Sequence, residues 1–336
     1  MSSIKIGING FGRIGRQVTR AMYERYPERL ELVAVNDLFD AEKNARLLKY
    51  DTTYGRFQET VQTEGDHMRI GNWNVRNFSE TDPRQIPWGE IGVDIVIEST
   101  GIFRTGPSAG AHLEGGARKV IITAPGKDVD KTLVLGVNEK SYDPQNDHIV
   151  SNASCTTNCL APIAAIVHRH FTIEKGTMCT VHAYTNDQRI LDLPHKDPRR
   201  ARAAANNIIP TTTGAAQAVG LVIPELEGRI EGYSMRVPVP TVSVVDFTAL
   251  VANHTNLNIL NDALRSAAKS ELQGILDFSE EPLVSSDYIG DPHSAIIDPG
   301  FNRVQEGNLI TIMAWYDNEW GYSCRVADLA MMMLEG

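Results

Sequence analysis

Cys155 falls where a thiol could become a nucleophile. Its surroundings, Ser151-Asn152-Ala153-Ser154-Cys155-Thr156-Thr157-Asn158-Cys159, lie between a strand-like run at 149–150 and a helix-like run at 160–168. A thiol in the first turn of a helix meets the positive end of the helix dipole, which favours the thiolate and predicts a lowered pKa. Cys159, one turn later, is expected to pack inward as a small apolar residue. A pair at i, i+4 lacks the further ligands a zinc ion needs, so no metal is expected. A reacting thiol also needs a proton acceptor. Of the nine histidines, His182 in the strand-like segment 180–185 sits beside other polar groups at a strand end. It reads either as a base or as a satisfied structural histidine, and the residues alone leave that open.

A second chemistry is written near the start of the chain. Gly10-Phe11-Gly12-Arg13-Ile14-Gly15 fits G-x-G-x-x-G, a pattern that is weak alone and gains meaning from its context. Here it follows a strand-like run at 4–8 and opens a helix, so backbone N–H groups and the helix dipole would hold a pyrophosphate. The other reading is a tight strand–helix turn with no ligand. A second strand ends at Asn36-Asp37, and Asp37 stands about 20 residues on, where the acid that binds the adenosine ribose is expected. Its carboxylate can accept from a 2′-hydroxyl but repels a 2′-phosphate by about 1–4 kcal/mol at contact range. Leu38 offers such a phosphate no donor. NAD is therefore favoured over NADP as the cofactor.

The elements that must position these groups follow two textures. Up to about residue 150, short apolar runs at 4–8, 30–35, 93–98, 119–123 and 132–137 alternate with helical stretches, the first carrying Ile14, Val18 and Met22. This pattern predicts a parallel, doubly wound Rossmann sheet, an α/β architecture. From residue 151 to about 318 the β-rich runs are longer, at 177–184, 230–251 and 309–316, with a helix-like stretch at 259–271. These predict an α+β catalytic domain with a mainly antiparallel sheet and helices on one side. Residues 187–210 are charged, without a strand period, and read as a long ordered loop whose length points to function. The helical spacing of Val326, Leu329, Ala330 and Met333 predicts that a helix at about 319–336 packs back on the first domain.

Bulk properties narrow the class further. A chain of 336 residues suits two domains, and no run approaches the roughly 20 apolar residues that span a bilayer. A net charge of −10 argues against nucleic acid as a main partner. The opening Met-Ser-Ser-Ile-Lys-Ile lacks the layout of a secretory signal, and four cysteines read as reduced thiols. A cytoplasmic location is expected.

Three segments together carry a resemblance: Ala-Ser-Cys-Thr-Thr-Asn-Cys-Leu-Ala-Pro at 153–162, Ile-Asn-Gly-Phe-Gly-Arg-Ile-Gly at 8–15, and Trp-Tyr-Asp-Asn-Glu-Trp-Gly-Tyr at 315–322. Over essentially its whole length the chain resembles the phosphorylating glyceraldehyde-3-phosphate dehydrogenases, bacterial members above all. The resemblance implies Cys155 as nucleophile, His182 as base, and a reaction through a hemithioacetal and a thioester. It implies that Asn318 holds the nicotinamide carboxamide, with Tyr316 nearby, and that Thr100 and Thr123 join the cofactor-binding residues. Thr185, Asp187 and Arg236 would bind the phosphate of glyceraldehyde 3-phosphate. Ser154, Thr156, Arg200, Thr213 and Gly214 would bind the attacking inorganic phosphate, the division between the two arginines staying open. Arg199 and Arg202 read as ion-pair partners in the loop or at an interface. Leu193-Pro194, which in related tetramers reaches a neighbouring adenosine pocket, again favours NAD. A homotetramer follows from the resemblance alone.

Two features depart from the commonest family pattern. Thr81 stands where many relatives carry an arginine near the adenine. The segment 290–298 looks more like that of the erythrose-4-phosphate dehydrogenases, which release their acid by hydrolysis. That sister group usually lacks counterparts of Thr185 and of the run 211–214, both present here. A catalytically silent nucleotide-binding scaffold is the rival of another class.

Overall fold

A computed structural model describes residues 3–335. The chain forms two compact units. One comprises the residues up to Leu133 with Lys140–Ala153 and the chain from Ser323 onward; the other comprises Val134–Glu139 and Ser154–Tyr322.

The first unit is built on a nine-stranded sheet. Its order is Lys131–Thr132, Ile149–Ser151, Lys119–Ile122, Ile95–Glu98, Ile4–Asn9, Leu30–Asn36, Trp73–Phe78, His67–Ile70 and Val61–Glu64. Every pairing from Lys131–Thr132 across to Trp73–Phe78 is parallel. Ile6, Ile8, Leu30, Leu32, Ile95, Ile97, Val120 and Ile121 are all inaccessible to solvent, as strands covered on both faces must be. The helix Arg13–Arg25 buries Val18, Ala21 and Met22.

One group of strands lies outside the sequence expectations, and one expectation fails. The antiparallel meander from Val61 to Phe78 gave no clear strand signal, because Val61–Glu64 is an edge strand with three exposed polar residues. Of the expected strand at 132–137 only Lys131–Thr132 pairs. Gly136, at a φ of 82°, turns the chain, and a side chain there would meet Leu272 at 2.6 Å, so this apolar run is a packed turn.

A buried polar network closes the ends of the parallel strands. The Trp88 indole donates to His112 Nδ1 at 3.1 Å, which leaves the His112 proton on Nε2, donating to Glu98 at 2.9 Å. The Glu98 carboxylate also accepts from Asn9 Nδ2 at 2.6 Å, from the Thr100 amide at 2.8 Å and from the Thr100 hydroxyl. Four donors compensate a charge that burial would otherwise penalise heavily. The terminal helix Trp320–Glu335 contributes Asp328, which accepts from Arg25 at 3.0 Å and Tyr26 at 2.6 Å.

The second unit has an eight-stranded, mainly antiparallel sheet. Its main path runs Ile209–Thr212, Ile230–Val237, Ile173–Ala183, Ser243–Val251, Leu309–Tyr316, Ala295–Ile297 and Leu276–Phe278, with Arg303–Gln305 beside Leu309–Tyr316. Ile173–Ala183 pairs parallel with Ile230–Val237, and Leu276–Phe278 pairs parallel with Ala295–Ile297. The run read as one segment at 230–251 is two strands, because Pro238 and Pro240 cannot donate to a ladder. Along Ser243–Val251 alternate residues are buried while Asp246 is exposed. The helix Cys155–Phe171 packs on this sheet. The segment 187–208 is turns and bends with one short 3-10 helix, Ala204–Asn206, tied by Arg202 and the Ala203 amide to Asp192.

Candidate active site

The helix Cys155–Phe171 begins with a cap rather than a frayed end. Ser154 Oγ accepts from the Thr157 amide at 3.0 Å. Cys155 is thus the first helical residue and partly accessible, whereas Cys159 is fully buried. Among the described residues no group of three histidine, cysteine or acidic side chains stands close enough to hold a metal.

His182 lies near the end of Ile173–Ala183, with Nε2 3.5 Å from Cys155 Sγ. Its Nδ1 lies 2.7 Å from the Ala183 carbonyl. A carbonyl can only accept, so Nδ1 carries the proton and the Nε2 lone pair faces the thiol. Strand register sets Arg236 beside His182. Its Nη1 donates to Thr185 Oγ1 at 2.8 Å and to the Ala183 carbonyl at 3.2 Å.

The electrostatics correct one expectation. The thiol is not acidified: burial pushes its pKa up, against the opposing pull of Arg236 and of hydrogen bonds from Thr156. Burial, with Arg236 second, pushes His182 down to about 3. Each group taken singly resists charge.

Beside the pair runs a chain of phosphate-competent groups. Thr185 Oγ1 donates to Asp187, and Arg200 Nη1 donates to Asp187 Oδ2 at 2.6 Å. Burial opposes ionisation of Asp187, but the Thr185 hydrogen bond, Arg236 and Arg200 outweigh it and hold its pKa below the usual range. Arg200 also donates through Nε to Thr211 Oγ1 at 2.9 Å. Arg236 and Arg200 are thus linked through Thr185 and Asp187. Thr213 Oγ1 accepts from the Ala215 amide at 3.2 Å, with exposed Gly214 at the start of the helix Ala215–Val222. Thr156 turns inward, its hydroxyl 2.8 Å from Tyr316 Oη. Arg202 pairs with Asp192 at 3.0 Å.

Residues outside the expected set also belong here. Thr180 Oγ1 lies 2.8 Å from Tyr316 Oη, and its spacing of two from His182 puts both on one face of the strand. That alternation was the available signal. Gln188 Oε1 accepts from the Thr185 amide at 3.2 Å, and Ser243 touches both Ala183 and Asn318; nothing local in the sequence marks either.

In the first unit the glycine pattern has steric causes. Gly10 adopts a φ of 89°, and a side chain at Gly15 would come within 2.3 Å of the Gly10 carbonyl. At Gly12 a Cβ would meet nothing within 4 Å, which leaves the room a pyrophosphate needs, and no side chain caps that helix end. Asp37 Oδ2 accepts from the Phe11 amide at 2.8 Å and Oδ1 from the Phe39 amide at 3.1 Å, which fixes the acid beside the loop. Leu38 is exposed, Ile14 half-buried, and Arg13 is paired with Asp51 at 2.5 Å. Thr123 Oγ1 donates to the Glu98 carbonyl at 3.1 Å, so both Thr100 and Thr123 are held by Glu98. Thr81 is exposed. These residues fit NAD.

A doubly wound unit with this loop, and a second unit carrying a thiol, an imidazole and two arginines, define an NAD-dependent oxidoreductase. Residues 4–106 match the family described as glyceraldehyde 3-phosphate dehydrogenase, NAD binding domain, and residues 154–318 match its C-terminal domain. The chain is 56% identical over 328 residues to the glyceraldehyde-3-phosphate dehydrogenase of Geobacillus stearothermophilus, covering 98% of this chain and 97% of that protein. It is 54% identical over 331 residues to glyceraldehyde-3-phosphate dehydrogenase 2 of Streptomyces avermitilis, covering 98% of each. With glyceraldehyde-3-phosphate dehydrogenase 1 of Bacillus subtilis it shares 53% over 328 residues, 98% of this chain and 97% of that one. The chain belongs to the glyceraldehyde-3-phosphate dehydrogenase family.

Proposed function

We propose that this protein oxidises D-glyceraldehyde 3-phosphate with inorganic phosphate to 1,3-bisphosphoglycerate, reversibly, as a step of glycolysis and gluconeogenesis, through a thioester on Cys155. The observation that carries the reading is the 3.5 Å approach of Cys155 Sγ to an imidazole nitrogen left free by the Nδ1 bond to Ala183. The thiol proton passes to Nε2 and the sulfur bonds to the aldehyde carbon. His182 returns the proton to the new alkoxide, giving a hemithioacetal. Bound NAD supplies the hydride acceptor. As hydride leaves the carbon, His182 takes the hydroxyl proton and a thioester remains. A phosphate oxygen then bonds to the acyl carbon and the sulfur leaves as thiolate.

Thr185, Asp187 and Arg236 serve the phosphate of the substrate, and Ser154, Thr156, Arg200, Thr213 and Gly214 serve the attacking one. In this reading Ser154 and Thr156 change hydrogen-bond partners as phosphate arrives. Guanidinium groups suit both anions. Gly10, Phe11, Gly12, Arg13, Ile14 and Gly15 would hold the pyrophosphate of NAD, Asp37 its ribose and Asn318 its carboxamide, with Leu38, Thr100 and Thr123 completing the set. Residues 1–150 with the terminal helix act as the NAD-binding domain and 151–318 as the catalytic one. The exposed apolar side chains Ile190, Leu191, Leu193 and Ile208 support assembly into a homotetramer. Among the described residues no helix is long and apolar enough to cross a membrane. Four free cysteines, reduced thiols in this reading, support a cytoplasmic location.

The deciding experiment measures NADH formation from glyceraldehyde 3-phosphate with and without phosphate or arsenate. Strict dependence on the anion is expected. Equal rates without it would mean hydrolytic release and overturn the assignment.

A further inference from the structure

Ser243 opens the strand Ser243–Val251 and is 1% exposed. Its Oγ accepts from the Ala183 amide at 3.1 Å and lies 3.0 Å from Asn318 Oδ1. A hydroxyl has a single proton, and here only the Asn318 carbonyl oxygen receives it. Were the Asn318 amide turned over, its Nδ2 would donate to an oxygen that already accepts, and the buried hydroxyl proton would lose its acceptor. The Asn318 amide therefore has one orientation, with Nδ2 directed away from Ser243. Among the described residues none accepts from that Nδ2. The same residue, through its own carbonyl, accepts from His182 Nδ1. One hydroxyl thus ties the amide of Asn318 to the residue, Ala183, whose carbonyl fixes the tautomer of His182.

We propose that Ser243 is a positioning residue for hydride transfer: it locks Asn318 with Nδ2 as the donor to the nicotinamide carboxamide, and so fixes which face of the ring meets the substrate. This rests on the reading of Asn318 as the carboxamide anchor. In Ser243→Ala the amide can turn over and present Oδ1 instead, and the ring is no longer held in one orientation.

The test compares NAD with ADP-ribose, which lacks the nicotinamide, by titration calorimetry on wild type, Ser243→Ala, Asn318→Ala and the double variant. Loss of one hydrogen bond predicts that Ser243→Ala weakens NAD about threefold to tenfold while ADP-ribose binds as before. The double variant should bind NAD no more weakly than Asn318→Ala, because Ser243 acts through Asn318. Deuteride transfer from 1-deuterated aldehyde should lose its single-face selectivity in Ser243→Ala. Unchanged NAD affinity and intact selectivity in Ser243→Ala, equal weakening of NAD and ADP-ribose, or additive losses in the double variant would each overturn the inference. If Asn318→Ala itself binds NAD like wild type, the anchor reading falls instead.

Discussion

Arg200 and Asp187 form a hydrogen-bonded ion pair, Nη1 to Oδ2 at 2.6 Å, beside the thiol–imidazole pair. The same carboxylate accepts from Thr185, which in turn accepts from Arg236. On the proposed reading, a phosphate dianion attacking the thioester would have to share Arg200 with a carboxylate already in place.

Asp187 is proposed to serve the substrate's phosphate, yet its charge opposes the attacking phosphate at Arg200, so neutralising it should tighten inorganic phosphate. Asp187→Asn is expected to lower KM for inorganic phosphate by about twofold to fivefold, a modest effect because the pair is partly exposed. Steady-state kinetics at saturating NAD would measure it; a raised KM would mean that Asp187 orients Arg200 rather than opposing the anion.

The two cysteines of the helix should separate cleanly. Cys155→Ser is expected to reduce turnover by roughly a thousandfold or more while NAD still binds, since the nucleophile is lost. Cys159→Ser should hold its rate within about tenfold but melt earlier, because a hydroxyl replaces a fully buried thiol at a cost of about 1–3 kcal/mol. Comparable loss of turnover in both would contradict the division of roles.

Acid should destabilise the fold through His182. Its native pKa, pushed down by burial to about 3, lies below the unfolded value of 6.5. Between these values the unfolded chain binds a proton that the native site refuses. Stability then falls by up to about 1.4 kcal/mol for each pH unit below about 6.5. Denaturant melts at pH 7 and pH 5 should show a smaller acid loss in His182→Gln than in wild type. Equal losses would place the acid sensitivity elsewhere.

Cofactor choice should respond to charge at Asp37 without disturbing the loop. Asp37→Asn retains an acceptor for the Phe11 amide yet removes the repulsion toward a 2′-phosphate. The ratio of kcat/KM for NADP over NAD should rise tenfold or more, roughly the lower end of a contact-range charge repulsion. Asp37→Ala or Asp37→Gly should also relax the preference, with some loss of NAD affinity as the Phe11 contact goes. An unchanged ratio in all three would remove Asp37 from cofactor selection.

What could be read in advance was local. Gly15 is dictated by the Gly10 carbonyl in the same strand–turn–helix unit, Gly10 by its positive φ in the turn, and Cys155 by its place at a helix start. The strands carrying Ile6, Leu32 and Ile97 announced themselves by short runs rich in apolar residues. The apolar run around Gly136 misled because a packed turn and a buried strand share a composition. The Val61–Glu64 edge strand was missed for the opposite reason, being mostly polar. The thiol pKa went the other way because burial outweighs the pull of Arg236, a partner far away in sequence, and of the hydrogen bonds from Thr156. Thr156, read as a phosphate ligand, faces Tyr316, a partner 160 residues away. Ser243 belongs to the same class: its role depends on Ala183 and Asn318 meeting across three separate segments.

The bond between Trp88 and His112 also gives the protein an optical gauge. Trp88 is inaccessible to solvent, and its only polar contact in this network leads to the carboxylate that steadies Thr100 and Asn9. Its emission belongs at the blue end of the tryptophan range while that network is intact. With the other three tryptophans replaced by phenylalanine, a red shift would register loosening of the strand ends.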